Sequence, residues 1–290
     1  MSRLRTAFAI LAIMGFALAG ASSAWAAGGE GADPGASTPA STLEIAYKIY
    51  VGGVALGKTD MRARFQNGEY RVNSRLETGG IVNMFWKAKI EASSSGRMDG
   101  TTFYPLVYDS YTDDHKDKNQ QVSLTFNPQG PIGLFADPAY NTSKYPVSDE
   151  EKKATADPMS AAIYLIAGVS ADASAPCGRV ARVFDGRRRY DVAFAHEGER
   201  NVDMDNGVYS GRALVCKIDY RQVAGFKPKI IKEGESFPDV FAWVAEMKSR
   251  ADPKLRYLVP LRIWAQSPYG VVVALLDKVQ LDGTSLARTE

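Results

Sequence analysis

From Leu43 onward the chain alternates in steps of two. Leu43, Ile45, Tyr47, Ile49 and Val51 fall on one face of an extended segment, and Glu44, Ala46, Lys48 and Tyr50 fall on the other. Successive strand side chains point to opposite faces, so this is the pattern of a half-buried β-strand. Gly52-Gly53 follows as a turn, and a second strand carries Met61, Ala63 and Phe65 on one face. Asn67-Gly68 is a strong hairpin dipeptide, because both residues tolerate positive φ. Glu69 to Leu76 then completes an antiparallel meander.

The same punctuation recurs along the chain. Lys87 to Gly96, Phe103 to Tyr111 and Gln120 to Phe126 read as strands, as do Arg179 to Phe184, Arg189 to Ala195, Gly211 to Val223, Leu258 to Ser267 and Val271 to Leu281. Ile81 to Trp86 and Phe237 to Met247 are compatible with either a strand or a short helix. Residues 127–152, rich in Pro, Gly and Asn, read as an irregular segment, long enough to serve as a gate or contact surface. One helix has a clear start: Asp157 as N-cap and Pro158 at the first helical position, followed by Met159, Ala162, Ile163 and Ile166 at helical spacing up to Gly168. The expected fold is therefore mainly β: a curved antiparallel sheet forming a barrel, half-barrel or β-spiral, with one or two short helices packed against it.

Residues 1–26 read as a Sec-type signal peptide, with Arg3 and Arg5 preceding an apolar run from Thr6 to Gly20 and Ala24-Trp25-Ala26 as the cleavage site. No cysteine follows that site, so no lipid anchor is expected, and the expected location is the bacterial periplasm. Residues 27–41, rich in Gly, Ala, Ser and Pro, read as a flexible linker, and residues 42–290 as a single β-rich domain. The signal holds two of the 35 basic residues and no acids, leaving 33 basic against 33 acidic residues. That balance argues against a nucleic-acid footprint or an anionic membrane surface as partner.

Cys177 and Cys216 are the two cysteines. In an oxidising compartment an isolated pair is expected to be bridged. Closing a loop of about 40 residues stabilises a fold by roughly 4 kcal/mol in the chain-entropy account. Signal and alternating strands also suit an outer-membrane barrel, but Arg62, Arg64, Arg71 and Arg75 occupy the polar faces, where lipid would not tolerate them, and the C-terminus lacks a terminal aromatic. After signal removal the chain is expected not to span a membrane.

The segment Val183 to Val192, of the form V-F-D-G-R-R-x-Y-D-V, follows a D-P-x-S-A helix start at Asp157 to Ala161. Together with Y-x-I-Y-V-G-G-V-x-L-G at Tyr47 to Gly57, the Tyr104-Pro105 step and L-V-P-L-R-I-W at Leu258 to Trp264, it resembles the exported bacterial family catalogued as domain of unknown function 3108. The resemblance spans about residues 43 to 282. It implies a single-domain periplasmic β protein, similar in shape to lipoprotein carriers and to envelope-integrity β-spiral proteins. Its motifs are structural and carry over no catalytic residues.

Chemistry-bearing constellations are few. His115 and His196 are the two histidines, both in polar stretches, and no G-x-S-x-G elbow accompanies them. No zinc spacing is present, and the Asp113, Asp114, Asp117 cluster fails the EF-hand pattern because Lys118 stands where glycine is required. No catalytic residue, metal or cofactor is therefore expected. Arg187, Arg188 and Arg189 are a candidate anion contact or a solvated turn. Met84, Phe85, Trp86, Tyr164, Leu165, Phe241, Trp243 and Trp264 are candidates to line an apolar ligand site, or to fill a core. The expected function is a non-enzymatic periplasmic protein that binds or carries a lipid or lipoprotein acyl chain in cell-envelope maintenance. Its helix or the 127–152 segment would cover the guest. The alternative is an envelope-structural module that binds another envelope protein and has no ligand cavity; a hydrolase is the least supported class.

Overall fold

The computed structural model describes residues 40–79, 88–114, 119–168, 176–228, 238–252 and 255–286. The expected signal peptide and nearly all of the expected linker lie outside them.

Among the described residues, thirteen antiparallel strands form one sheet. The first seven are β1 (Ser41–Val51), β2 (Val54–Gln66), β3 (Glu69–Thr78), β4 (Ala88–Asp99), β5 (Thr102–Asp114), β6 (Gln120–Asn127) and β7 (Gly130–Asp137). Two helices follow, α1 (Asp149–Lys152) and α2 (Pro158–Ile166). The remaining strands are β8 (Arg179–Phe184), β9 (Arg189–Asp203), β10 (Ser210–Ala224), β11 (Val240–Lys248), β12 (Arg256–Ser267) and β13 (Gly270–Leu281). The order across the sheet is β7-β6-β5-β4-β3-β2-β1-β13-β12-β11-β10-β9-β8. Two meanders are thus zipped together by the β1–β13 ladder, in which Ile45 faces Val279 and Ile49 faces Ala274.

The alternation in β1 separates the two faces as expected. Leu43, Ile45 and Ile49 are buried, whereas Lys48 pairs with Asp277, and Glu44 with Arg62 and Lys278, on the outside. Arg75 likewise pairs with Glu77 and, beneath it, with the buried Glu91, so the outward face of the first strands is charged. Two elements correct the expectation for one segment, and a third resolves an alternative left open. Within the supposedly irregular 127–152 segment lie β7 and α1, the latter closed by a capping box between Ser148 and Glu151. The ambiguous Phe237 to Met247 segment contributes β11, held on both sides by β10 and β12.

The sheet is open, with β7 and β8 as its terminal strands, and it curls into a spiral. The turn between β8 and β9 tucks against the inner face of the opposite edge, which brings Gly186 beside Leu134 of β7 and Val122 of β6. Residues before α2 stitch the seam. Ala156 donates to the carbonyl of Arg182 and accepts from Phe184 N–H, covering part of the β8 edge, and Ala154 donates to Gln129 in the β6–β7 turn. The expected bond between Cys177 and Cys216 is present, and it fastens the start of β8 to β10.

Helix α2 crosses the inside of the curl and touches β3, β4 and β5 of one meander and β8 and β12 of the other. It is apolar nearly all round, which suits a helix enclosed by sheet. Its start is held by Asp157, whose carboxylate accepts from the backbone N–H groups of Met159 and Ser160 at 2.9 Å each. The other carboxylate oxygen accepts from the hydroxyls of Ser160 at 2.5 Å and Ser94 at 3.0 Å, and the Tyr70 hydroxyl meets Ser160 at 2.6 Å. The helix is thereby pinned to β3 and β4.

Asp157 is completely buried, and burial pushes its carboxyl up from 3.8 to about 6, outweighing the hydrogen bonds from Ser160, Ser94 and Met159 that favour the ionised form. Between about pH 4 and 6 the folded protein therefore keeps a proton that the unfolded chain has released, so this group's contribution to stability falls as pH rises through that window. Asp157→Asn keeps a good N-cap and removes the titration. Denaturation of both proteins across pH 3.5–7 should show the wild-type-minus-variant stability difference declining by about 3 kcal/mol, and a pH-independent difference would contradict the assignment. Gly186 has φ of +90°, and an added Cβ would lie 3.0 Å from Leu134 and from Val122. Gly186→Ala should accordingly cost about 1–3 kcal/mol in thermal or urea unfolding. An unchanged midpoint would mean that the seam is looser than described.

Candidate functional site

Between the two meanders, alongside α2, the curl leaves a cavity of about 520 Å³. Pro158, Met159, Ala161, Ala162, Leu165 and Ile166 present one face of the helix to it. Ser160, Ile163 and Ala167, on the other face, belong to the packed end of the molecule, where Leu43, Phe65, Tyr70, Phe103 and Tyr257 form the core. Ile45, Leu76, Ile90 and Val122 line the cavity from the first meander, and Val192, Phe194, Ile218 and Ile263 from the second. The walls thus come from residues far apart in sequence, and most of them are apolar.

Polar groups also line it, among them Thr59, Asp60 and Ser74 of the first meander and a cluster at the β8–β9 turn. Asp185 and Arg188, from the β8–β9 turn, share the cavity with Tyr108 of β5, Tyr140, Tyr190 of β9 and Tyr220 of β10. The Tyr190 and Tyr220 rings lie 4.9 Å apart. Asp185 shapes the turn by accepting from the backbone N–H groups of Arg187 at 2.9 Å and Arg188 at 2.6 Å. Burial pushes the Asp185 carboxyl up, and the neighbouring Arg188 opposes that shift. Burial, with the Asp185 charge adding to it, also raises the hydroxyls of Tyr108, Tyr190 and Tyr220, and pushes Tyr140 up to about 12. These phenols are neutral at physiological pH and offer hydroxyl donors. Elsewhere in the lining, Tyr47 donates to the Pro260 carbonyl at 2.8 Å.

The three consecutive arginines proposed as an anion contact have three different surroundings. Arg187 is exposed and lies over the Tyr140 ring. Arg188 faces the cavity with its guanidinium over Phe226. Arg189 is buried, pairs with Asp191 at 2.5 Å and donates to the Glu151 carbonyl. They are not one patch.

Of the eight apolar candidates, Leu165 lines the cavity. Tyr164, next to it on α2, turns away and stacks under the Arg179 guanidinium at 3.9 Å. Phe241, Trp243 and Trp264 belong to the opposite face of the sheet. Their neighbours Ala242 and Ile263 are in register with the cavity-lining Ala274, so alternation sends the aromatic residues outward. There Phe241 stacks on Trp264, and Arg200 and Arg262 lie over Trp243. Met84, Phe85 and Trp86 lie outside the described residues. Sequence reasoning missed Tyr108, Tyr140, Tyr190 and Tyr220. The tyrosine in V-F-D-G-R-R-x-Y, directly after the Asp-Gly turn, was the signal within reach.

Acid–base machinery is sparse around the cavity. His115 lies outside the described residues, and His196 sits away from the lining with its Nδ1 3.9 Å from Cys177 Sγ. No group of three or more His, Cys, Asp or Glu residues able to hold a metal ion occurs among the described residues. No helix among them is long and apolar enough to cross a membrane. A smaller hollow of about 260 Å³ lies at the seam, between Pro131 to Leu134 of β7 and the β8–β9 turn.

No curated protein matches the chain. Among solved structures, the fold is similar to the beta-barrel-like protein of domain of unknown function DUF1849 from Brucella abortus, with a TM-score of 0.51 and 13% identity over 84% of this chain and 98% of that one. At that identity the likeness speaks for the fold alone. The family model described as "Protein of unknown function (DUF3108)" matches residues 46–277, from within β1 to within β13, and the chain belongs to that family.

Proposed function

We propose that this protein is a non-enzymatic periplasmic binding protein that shelters a hydrophobic chain, such as the acyl chain of a lipid or lipoprotein, inside its curled sheet. The observation that carries the reading is the apolar cavity of about 520 Å³ beside α2, a size within the range of small-molecule sites. A guest that fills the space gains about 0.8 kcal/mol for each methylene it buries. Desolvation is the binding force, and the few polar groups set orientation.

The second reading, a module that binds another envelope protein, draws on one feature. Edge strand β7 exposes Ile132, Leu134 and Phe135, and strand addition at such an edge is a common mode of recognition. It leaves the cavity without a role and is the less supported of the two.

The test is a titration with N-phenylnaphthylamine, a neutral probe whose fluorescence rises in apolar surroundings. Saturable binding is expected. Ala162, half-buried on the cavity face of α2, can take a larger side chain that occupies the space. Ala162→Phe should weaken the probe at least about tenfold while far-UV circular dichroism stays that of the wild type. Wild-type protein that binds no probe, or an Ala162→Phe variant that binds it undiminished, would refute the proposal.

A further inference from the structure

Arg188 is an unusual residue to find on the wall of a greasy cavity. A buried or half-buried cation is ordinarily paired, because loss of water is costly for a charge. The contrast with its neighbours is sharp. Arg189 pairs with Asp191, and Arg221 pairs with the same carboxylate from the next strand. Arg188 forms no ion pair among the described residues, and its guanidinium rests over the Phe226 ring at 5.4 Å. Asp185, the nearest acid in the lining, spends one carboxylate oxygen on the backbone of its own turn. The phenols of Tyr108, Tyr140, Tyr190 and Tyr220 line the same region.

Resting on the carrier reading above, we infer that Arg188 is the head-group anchor of the cavity, and that its ligand is an amphiphile with one anionic head, a carboxylate or a phosphate monoester, whose alkyl chain lies along α2. The planar guanidinium presents several N–H donors in a geometry that matches either oxyanion, and nearby tyrosine hydroxyls can donate to the remaining oxygens. A charge-assisted hydrogen bond in such surroundings is stronger than a neutral one. Two acids line the cavity, Asp60 and Asp185, and Asp185 is held in the turn by the backbone N–H groups of Arg187 and Arg188. The turn that carries Arg188 is also the turn that closes the spiral seam at Gly186, so the anchor sits on a part of the fold that packing holds in place.

Competition against N-phenylnaphthylamine tests this with ligands of equal chain length: myristate, its methyl ester and tetradecyl phosphate. The wild type should bind myristate at least about tenfold more tightly than the ester. Tetradecyl phosphate tested beside myristate shows which of the two heads the anchor prefers. In Arg188→Gln the acid and the ester should come within about twofold of each other, and Arg188→Lys should keep part of the preference. Equal affinity for acid and ester in the wild type would overturn the anchor whatever the variants do, and so would an undiminished preference in Arg188→Gln. Those results leave the carrier reading intact if the ester and the neutral probe still bind. Failure of all ligands, the probe included, strikes the carrier reading itself.

Discussion

A single antiparallel sheet with one apolar face has to cover that face with itself, and strand number decides what the covering leaves inside. About eight strands close around an interior that side chains just fill. Thirteen strands curl more widely, so side chains alone cannot reach across. Here the span is bridged by α2, which fills the space next to the packed core and leaves the rest as a cavity of about 520 Å³. Everything functional depends on that geometry. The helix must stay where it is, and the fully buried carboxylate of Asp157 caps it and binds it to β3 and β4.

The second consequence is that the two sheet ends meet without pairing. An open spiral exposes edges, and this one deals with them unequally. The β8 edge is partly covered by the backbone of Ala156, whereas β7 keeps Ile132, Leu134 and Phe135 exposed. The seam also delivers the polar groups of the cavity. Asp185 and Arg188 come from the turn that overlaps the far edge, and Tyr140 from the connection that leaves β7. Closure of the fold and polarity of the site are one structural event.

The strands of the first meander were legible because one face was apolar and the other charged, as Leu43 and Ile45 against Glu44 and Lys48 illustrate. Helix α2 was legible because Asp157-Pro158 states a start with little ambiguity. β7 was hidden because Gly130, Pro131 and Gly133 look like loop residues and because its apolar side chains are exposed, so no buried face marks it. The aromatic candidates of β11 and β12 misled for a different reason. In Val240-Phe241-Ala242-Trp243-Val244 both faces are apolar, and size alone does not say which one turns inward. The inward side is the smaller one, with Ala242 and Val244 fully buried. The cavity itself was expected only as a possibility of the curl. Its lining pairs β5 with β9 and β10 across the seam, a relation fixed by the β1–β13 ladder and by no local signal.

The central claim is that the curled sheet encloses space which a guest occupies. Native mass spectrometry of protein isolated gently from the periplasm measures this most directly, paired with organic extraction of the same sample. The account predicts a species heavier than the polypeptide, which loses the excess mass on denaturation and releases an alkyl-chain compound into the organic phase. A polypeptide that carries no added mass and gains none when offered amphiphiles in solution would contradict it.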